Sequence, residues 1–491
     1  MLVSIALVVP CFWLPIVSGV DLQSHLYNAW LATLIENGSI QGLSIAHQYT
    51  NVLVDVLLAL LLKSFGASAA ERILCCGIVL IFFWGAFRFI SVVRGQTVYW
   101  LVPWLAVFSY GYVFQMGLLN YYLACGIVFW VFSFAWGKGF GWWMVAAIPL
   151  LIVACLAHPM PVVWLVGMVG YCWMARLSSG RVRLVLFVVC AGCLPGIRIY
   201  LTSHYMTRWG WNQLALATGI DQIFLHGWYY LAPAIVLFVF CVVILLQAKD
   251  RRSMLTAIPA QAYCLTALAI VVLPTAILSS TYAPAASLIA DRLSLFSAVL
   301  LLALLSYTTP RRWYLYAGLA GAAIFFGILH EDVGIQASAE AKIASLVSTL
   351  PDGAHVVPLV GLQPREGSLS ATKAGLFRRI GDKALSLCCS RLSANHLLER
   401  ACIGHCFDFA NYEPSTGQFR IRPEPGNSVV MSDFYDVGSI AFGVYEIKPS
   451  YPPLYGVIRC GTGPGDVFMR PLKVGETQAT VVCPDAWVPK E

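Results

Sequence analysis

Apolar residues fill the first two thirds of the chain in long blocks, at 2–19, 72–93, 98–115, 117–136, 141–157, 160–176, 184–200, 228–247, 256–279, 287–308 and 313–329. Short polar stretches separate them. A helix that crosses a bilayer needs about 20 predominantly apolar residues, so these blocks predict eleven spans, with soft boundaries where blocks are short. The run 51–66, "NVLVDVLLALLLKSFG", carries Asp55 and Lys63 and reads as a helix lying at the interface. The opening block has no cationic start and is interrupted by Pro10, which favours an anchor, while the small residues "VSG" before Val20 suit a peptidase and leave cleavage open. Past about residue 345 the pattern changes to short β-rich segments such as "AHVVPLV", "GQFRIRP", "SVVMSD", "AFGVYEI" and "LYGVIRC", separated by turn clusters. Residues 384–402 read as helical. The expected fold class is a polytopic α-helical membrane protein: a transmembrane domain over 1–329, whose first loop spans 20–71, then a linker over 330–344 and a small α+β domain over 345–491.

Composition agrees with this reading. The 491 residues are 59% hydrophobic and 11% charged, against about 25% charged in a soluble domain. Residues 1–329 hold 16 Lys and Arg against 7 Asp and Glu, a balance of +9, whereas 330–491 hold 15 against 17, a balance of −2. No stretch is both basic and aromatic enough for nucleic acid binding, so no nucleic-acid partner is expected.

Lys and Arg also set the orientation, because cytoplasmic loops are enriched in them. With the N-terminus inside and 51–66 not crossing, the inner ends collect Arg88, Arg94, Lys138, Arg176, Arg181, Arg183, Lys249, Arg251, Arg252, Arg311 and Arg312. The expected place is the inner (plasma) membrane, with the C-terminal domain on the extracytoplasmic, periplasmic side. Of the seven acids before residue 330, only Asp250 then falls inside, and all nine histidines fall outside. Groups able to do acid–base work thus gather on one face. Short inner loops that have room only for orienting cations explain the same asymmetry.

The candidate chemistry sits at the outer ends of the blocks. In "SGVDLQSHLYNAW", His25 follows Asp21 by one helical turn, on the same face. Asp21 is equally suited to capping an interfacial helix, and both readings stay open. "QMGLLNYY" supplies Asn120, "AHPMP" supplies His158, "TSHYMTRWGWNQ" supplies Arg208 and Trp211, and "IADRLSLF" supplies Asp291 and Arg292. Charged residues near membrane depth are functional candidates by default, although Arg292 can also snorkel to lipid phosphate and His158 can simply end a helix. The C-terminal cysteines Cys388, Cys389, Cys402, Cys406, Cys460 and Cys483 suggest one to three disulfides. Cys388, Cys389, His396, Cys402, His405 and Cys406 lie close together but match no dependable zinc spacing. No Walker A loop, G-x-S-x-G, H-E-x-x-H or dinucleotide fingerprint is present.

An inside N-terminus, an acid opening the first outer loop, "NVLVDVLLALLLKSFG" followed by "AERILCCGIVLIFFWGAF", a many-span bundle and an outer C-terminal domain together resemble the GT-C glycosyltransferases. The resemblance covers the architecture of the whole chain, and its motif is a single residue at the core. It implies transfer of a hexose or pentose, with inversion, from a polyprenyl-phosphate carrier to an envelope glycan or protein. Asp21 matches the family's first-loop carboxylate and would act as general base, with His25 beside it. "ADRLSLF" is similar to a late segment that often carries a basic residue, which assigns Arg292 to the carrier phosphate. His158, Arg208, Asp291 and Asn120 complete the expected substrate and carrier contacts. The expected partners are the lipid-linked donor, membrane lipids and the acceptor. Departures are the absence of a second acid, since Leu22 follows Asp21, and "QYTN" where a proline pair is usual. No metal ligand or cofactor is assigned, and a divalent metal stays open. A transporter or flippase of a lipid-linked substrate, or a non-catalytic envelope scaffold, are the alternative readings.

Overall fold

The computed structural model describes residues 1–138, 141–210, 212–223, 228–248, 254, 256–278, 286–359, 398–408, 420–423, 453–459 and 467–476. It is mostly helical. In chain order the helices are α1 (Leu2–Val8), α2 (Val20–Glu36), α3 (Leu53–Phe65), α4 (Ala67–Arg94), α5 (Val102–Ser109), α6 (Tyr112–Gln115), α7 (Leu119–Lys138), α8 (Trp143–Ala157), α9 (Pro159–Leu177), α10 (Gly180–His204), α11 (Gln213–Leu216), α12 (Leu231–Gln247), α13 (Ile258–Val272), α14 (Ile289–Leu305) and α15 (Arg312–Val347).

Five of these, α4, α7, α9, α10 and α15, are long and apolar enough to cross a membrane. α10 is apolar yet has no buried residue, a surface that water disfavours and lipid accepts. α4 and α7 pack backbone against backbone. A Cβ on Gly85 would meet the Gly126 carbonyl at 2.6 Å, and one on Gly126 would meet the Phe82 nitrogen at 2.8 Å. Small residues that let backbones approach are the usual device between helices in lipid. On the other side of α7, Trp164 of α9 stacks on Phe296 of α14 at 3.8 Å between ring centroids.

Several sequence expectations need correction. The opening block 2–19 is helical only to Cys11, because Pro10 and Pro15 break the run beyond α1 and one 3-10 turn. The block 98–115 is not one helix: α5 ends at Ser109, and Gly111 precedes the four residues of α6. The linker predicted over 330–344 is the second half of α15, since its Ala, Glu, Lys and Ile content favours helix despite the polar shift. At about 1.5 Å per residue, the 36 residues of α15 outrun a hydrocarbon core of about 30 Å. α3 has 13 residues and is too short to cross, about 20 Å long; it packs against α2 and α4.

Strands β1 (Leu43–Ile45), β2 (Met206–Arg208), β3 (Ala276–Leu278), β4 (His355–Leu359), β5 (Phe407–Asp408), β6 (Ile421–Pro423), β7 (Leu454–Arg459) and β8 (Val467–Pro471) complete the described elements. A four-stranded sheet has the order β5–β4–β7–β8, with β4 parallel to both β5 and β7, and β8 antiparallel. β1, from the first loop, pairs antiparallel with β6. Within the region read as helical over 384–402, residues 398–402 are helical and the rest lies outside the described residues. So do Trp211, "SVVMSD", "AFGVYEI", Cys388, Cys389, His396, Cys460 and Cys483.

α2 is the largest surprise. It was expected to lie along an interface with one wet face, but Leu22 to Ala29 are buried without a break. Helix α15 and the sheet cover it. Tyr27, Leu31 and Ala32 share a core with Ile343, Val347, Val356, Leu398 and Val457, and Trp30 stacks on Phe407 at 5.7 Å. The C-terminal residues are held there by Arg400, whose Nε donates to Glu340 at 2.6 Å. Its Nη1 donates to Gln23 at 3.1 Å and pairs with Glu71. Glu71 also accepts from the Val17 amide at 2.8 Å. Removing one partner of a buried ion network costs about 3–5 kcal/mol, because the other charges stay buried. Arg400→Ala is therefore expected to lower stability by that order, measured as a fall in the unfolding midpoint of detergent-solubilised protein. An unchanged midpoint would show that the latch is not a stabilising contact.

Candidate functional site

The first turn of α2, the N-terminus of α7, the α8–α9 junction and the first turn of α14 meet around one pocket. Its walls are Asp21, His25, Asn51, Leu118, Leu119, Asn120, Tyr121, His158 and Arg292, and it encloses about 270 Å³ including its open mouth. Residues spread over 271 positions of sequence, from Asp21 to Arg292, thus face one space.

Asp21 enters this space because α2 begins against Gly117. The Asp21 amide donates to the Met116 carbonyl at 3.1 Å. Gly117 has φ +72°, and a Cβ there would lie 2.5 Å from the amide nitrogens of Asp21 and Leu22. Gly19, not Asp21, is the N-cap of α2, and Asp21 is the second residue of the first turn. A carboxylate there still complements the helix dipole, but its side chain is not the cap that the sequence suggested. Gly117→Ala combines a left-handed backbone with a clash, so it is expected to cost about 2 kcal/mol or more. The measurement is thermal unfolding, and an unchanged midpoint would contradict the close approach.

His25 sits one turn further on. Its Nδ1 lies 2.9 Å from Asp55 Oδ1 of α3. The other Asp55 oxygen accepts from Asn120 Nδ2 at 3.3 Å, and Asn120 Oδ1 accepts from the Val54 amide at 2.9 Å. Asn120, expected to touch substrate, is thus mainly occupied in tying the start of α3 to α7. Asp55 was read as one of the outer acids but not as a site residue; a lone acid inside the apolar run "LVDVLL" was the available signal. Burial alone would push the His25 pKa down, but the charge and hydrogen bond of Asp55, helped by the charges of Asp21 and Glu399, raise it above its ordinary 6.5. The sign of the linkage follows: a raised histidine pKa gives stability that is complete below about 6.5 and lost as pH rises through the folded value. The unfolding midpoint is therefore expected to fall between neutral and alkaline pH in the wild type. Asp55→Asn should flatten this slope, and an equal slope in that variant would contradict the pairing.

His158 is both a helix-end residue and a pocket wall. Its Nδ1 accepts from the Met160 amide at 3.2 Å, capping α9. Burial, and then the charge of Arg292, push its pKa down to about 3. The ring is neutral, and because Nδ1 accepts, the proton is on Nε2. His158 packs edge-on against Tyr121, with ring centroids 5.3 Å apart.

Arg292 reaches the pocket from α14. The preceding Leu288 has φ +54°, a left-handed conformation costly for a leucine, and Arg292 sits one turn after it. The guanidinium carbon lies 5.9 Å from the Tyr121 ring centre. The Tyr121 hydroxyl donates to the Arg292 carbonyl at 2.7 Å. Arg292 Nε is buried and makes no hydrogen bond within the protein. Asp291 is buried in the same turn but is not a wall of the pocket; its carbonyl accepts from Gln222 and Ser294. The single Ser294 proton is shared between that carbonyl and Asp221 Oδ2, 2.7 Å away, and burial raises the Asp221 pKa to about 8. Arg208 lies on β2, which pairs with β3, and is outside the pocket because the loop folds into its own two-stranded sheet.

Compared with family models, with characterised proteins and with solved structures, the chain matches none. The reading of the site therefore rests on its own chemistry. The pocket holds a carboxylate, a histidine oriented by a second carboxylate, a neutral imidazole N–H and a guanidinium. Such a set can accept a proton at one end and hold an anion at the other. The cysteine and histidine cluster weighed as a zinc site contains Cys402 and Cys406, which are joined as a disulfide and so are not thiolate ligands. Among the described residues, no group of three or more His, Cys, Asp or Glu is arranged to hold a metal ion.

Proposed function

We propose that the chain is a membrane glycosyltransferase that moves a sugar from a polyprenyl-phosphate carrier to an envelope acceptor on the outer face of the inner membrane. The single observation that carries this reading is that Asp21 and Arg292 wall the same small pocket. The acceptor hydroxyl gives its proton to the Asp21 carboxylate as its oxygen attacks the sugar C1. The C1–O bond to the carrier breaks, the electron pair leaves on the phosphate, and Arg292 and the His158 N–H hold that charge. A single displacement inverts C1. His25, oriented by Asp55, keeps a cationic or donor edge beside Asp21 and the acceptor. Binding needs no nucleotide, in keeping with a chain that carries no nucleotide-binding motif. In this reading the membrane helices hold the site at the periplasmic end, and the C-terminal residues brace α2 through Arg400 and Trp30.

The test is a proteoliposome loaded with polyprenyl-phosphate-linked radiolabelled sugar and supplied with an envelope fraction. Label joined covalently to the envelope fraction supports transfer. Label that crosses the bilayer on its unaltered carrier, with no covalent product, would replace the proposal with transport.

A further inference from the structure

A second pocket lies at the other end of the same helices. Its walls include Phe132 and Trp136 of α7, Trp143 and Met144 of α8, and Trp173 and Arg176 of α9, and it encloses about 340 Å³ including its open side. α7 runs from Asn120 at the candidate site to Trp136 here, which is about 24 Å of helix at 1.5 Å per residue. That is close to the thickness of a bilayer's hydrocarbon core, about 30 Å. The two pockets therefore lie at opposite ends of α7.

The chemistry of this second pocket is one-sided. Arg176 lies 4.4 Å from the Trp136 ring centre, and its Nη1 donates to the Trp136 carbonyl. An arginine has five N–H donors in a fixed fork, and that carbonyl is the acceptor the structure shows for this one. More positive charge gathers alongside: Arg181 and Arg183 open α10. Arg183 Nε donates to the Ala175 carbonyl at 2.9 Å, which brings it to the end of α9. No Asp or Glu occurs anywhere between Glu71 and Asp221, so no acid on α7, α8, α9 or α10 answers these cations. Trp142, next to Trp143, is 89% exposed, as suits an indole at a headgroup layer.

We propose that this pocket binds the headgroup phosphate of an anionic phospholipid in the leaflet opposite the candidate site, with the tryptophans flanking its glycerol and upper acyl chain. Charge complementarity selects the occupant. A zwitterionic headgroup brings an ammonium that meets Arg176 over Trp136 and finds no carboxylate, whereas an anionic headgroup brings only charge that the cluster attracts.

The full chain in phosphatidylcholine nanodiscs provides the test, with a small fixed fraction of dibromo-acyl phosphatidylglycerol or, separately, dibromo-acyl phosphatidylcholine as a tryptophan quencher. The wild type is expected to favour phosphatidylglycerol about fivefold in apparent affinity. Arg176→Gln should remove the preference, Arg176→Lys should keep part of it, and Trp173→Phe should reduce the quenched amplitude. Equal quenching by the two lipids, or an Arg176→Gln protein that keeps the preference, would overturn the proposal. If Arg176→Gln does not fold, Arg176→Lys and Trp173→Phe decide: full preference and full amplitude in both would overturn it. Sugar transfer is not read in this experiment, so its outcome is separate from that of the proposed reaction.

Discussion

Asp21→Asn is expected to lower sugar transfer by about 10²–10⁴-fold, the usual contribution of a positioned general base, with little change in stability. Asparagine keeps the size and polarity of the side chain but cannot take a proton. It does not remove a helix cap, because Gly19 holds that position and the Asp21 amide is fixed by the Met116 carbonyl. The dipole interaction lost in the first turn is worth about 0.3–1 kcal/mol, and the Asp21 charge also supports the His25 cation, so a small fall in the midpoint accompanies the loss of activity. Steady-state transfer and an unfolding midpoint measured on the same preparation separate the two effects. A variant with full activity would remove Asp21 from the chemistry and shift attention to His25, which Asp55 orients at 2.9 Å.

Arg292→Gln is expected to reduce transfer about 10²–10³-fold, the scale of losing one donor aimed at developing charge. Both KM for the lipid-linked donor and kcat should suffer, since the guanidinium would bind the ground-state phosphate and stabilise it as it leaves. Arg292→Lys keeps the charge but loses the planar fork, and should fall between. Its buried Nε makes no hydrogen bond within the protein, so a purely structural role predicts little change for glutamine and no ordering of the lysine variant. Equal KM values in all three proteins would contradict phosphate binding there.

The sequence carried the helical membrane character clearly, because long apolar blocks and a sparse charge content leave few alternatives. It also placed Asp21, His25, Asn120, His158 and Arg292 at block ends that the fold draws to one pocket. Positions along single blocks could not show which ends meet. Arg208 was counted on the same basis, and β2–β3 pairing carries it elsewhere. The partner of His25 is 30 residues away, and the partners of Arg400 are up to 377 residues away, so neither pair leaves a local periodicity to read. The burial of α2 was hidden for a related reason. Gln23, His25 and Asn28 look like a wet face, but each has a partner inside the protein: the Val17 carbonyl, Asp55 and the Ser24 carbonyl. The breaks after Cys11 and Ser109 follow from Pro10, Pro15 and Gly111, which a hydropathy window averages away.

In the proposed reaction this pocket breaks the bond between a sugar and a polyprenyl phosphate and passes the sugar on. A single-turnover reaction of purified wild-type and Asp21→Asn protein with radiolabelled polyprenyl-phosphate-sugar and envelope acceptor tests it most directly, by measuring free polyprenyl phosphate and acceptor-bound label together. The expected result is one polyprenyl phosphate released for each sugar transferred by the wild type, with both products lost in parallel in the variant. Donor that stays intact with the wild type, or the same yield of both products from the variant, would contradict the claim.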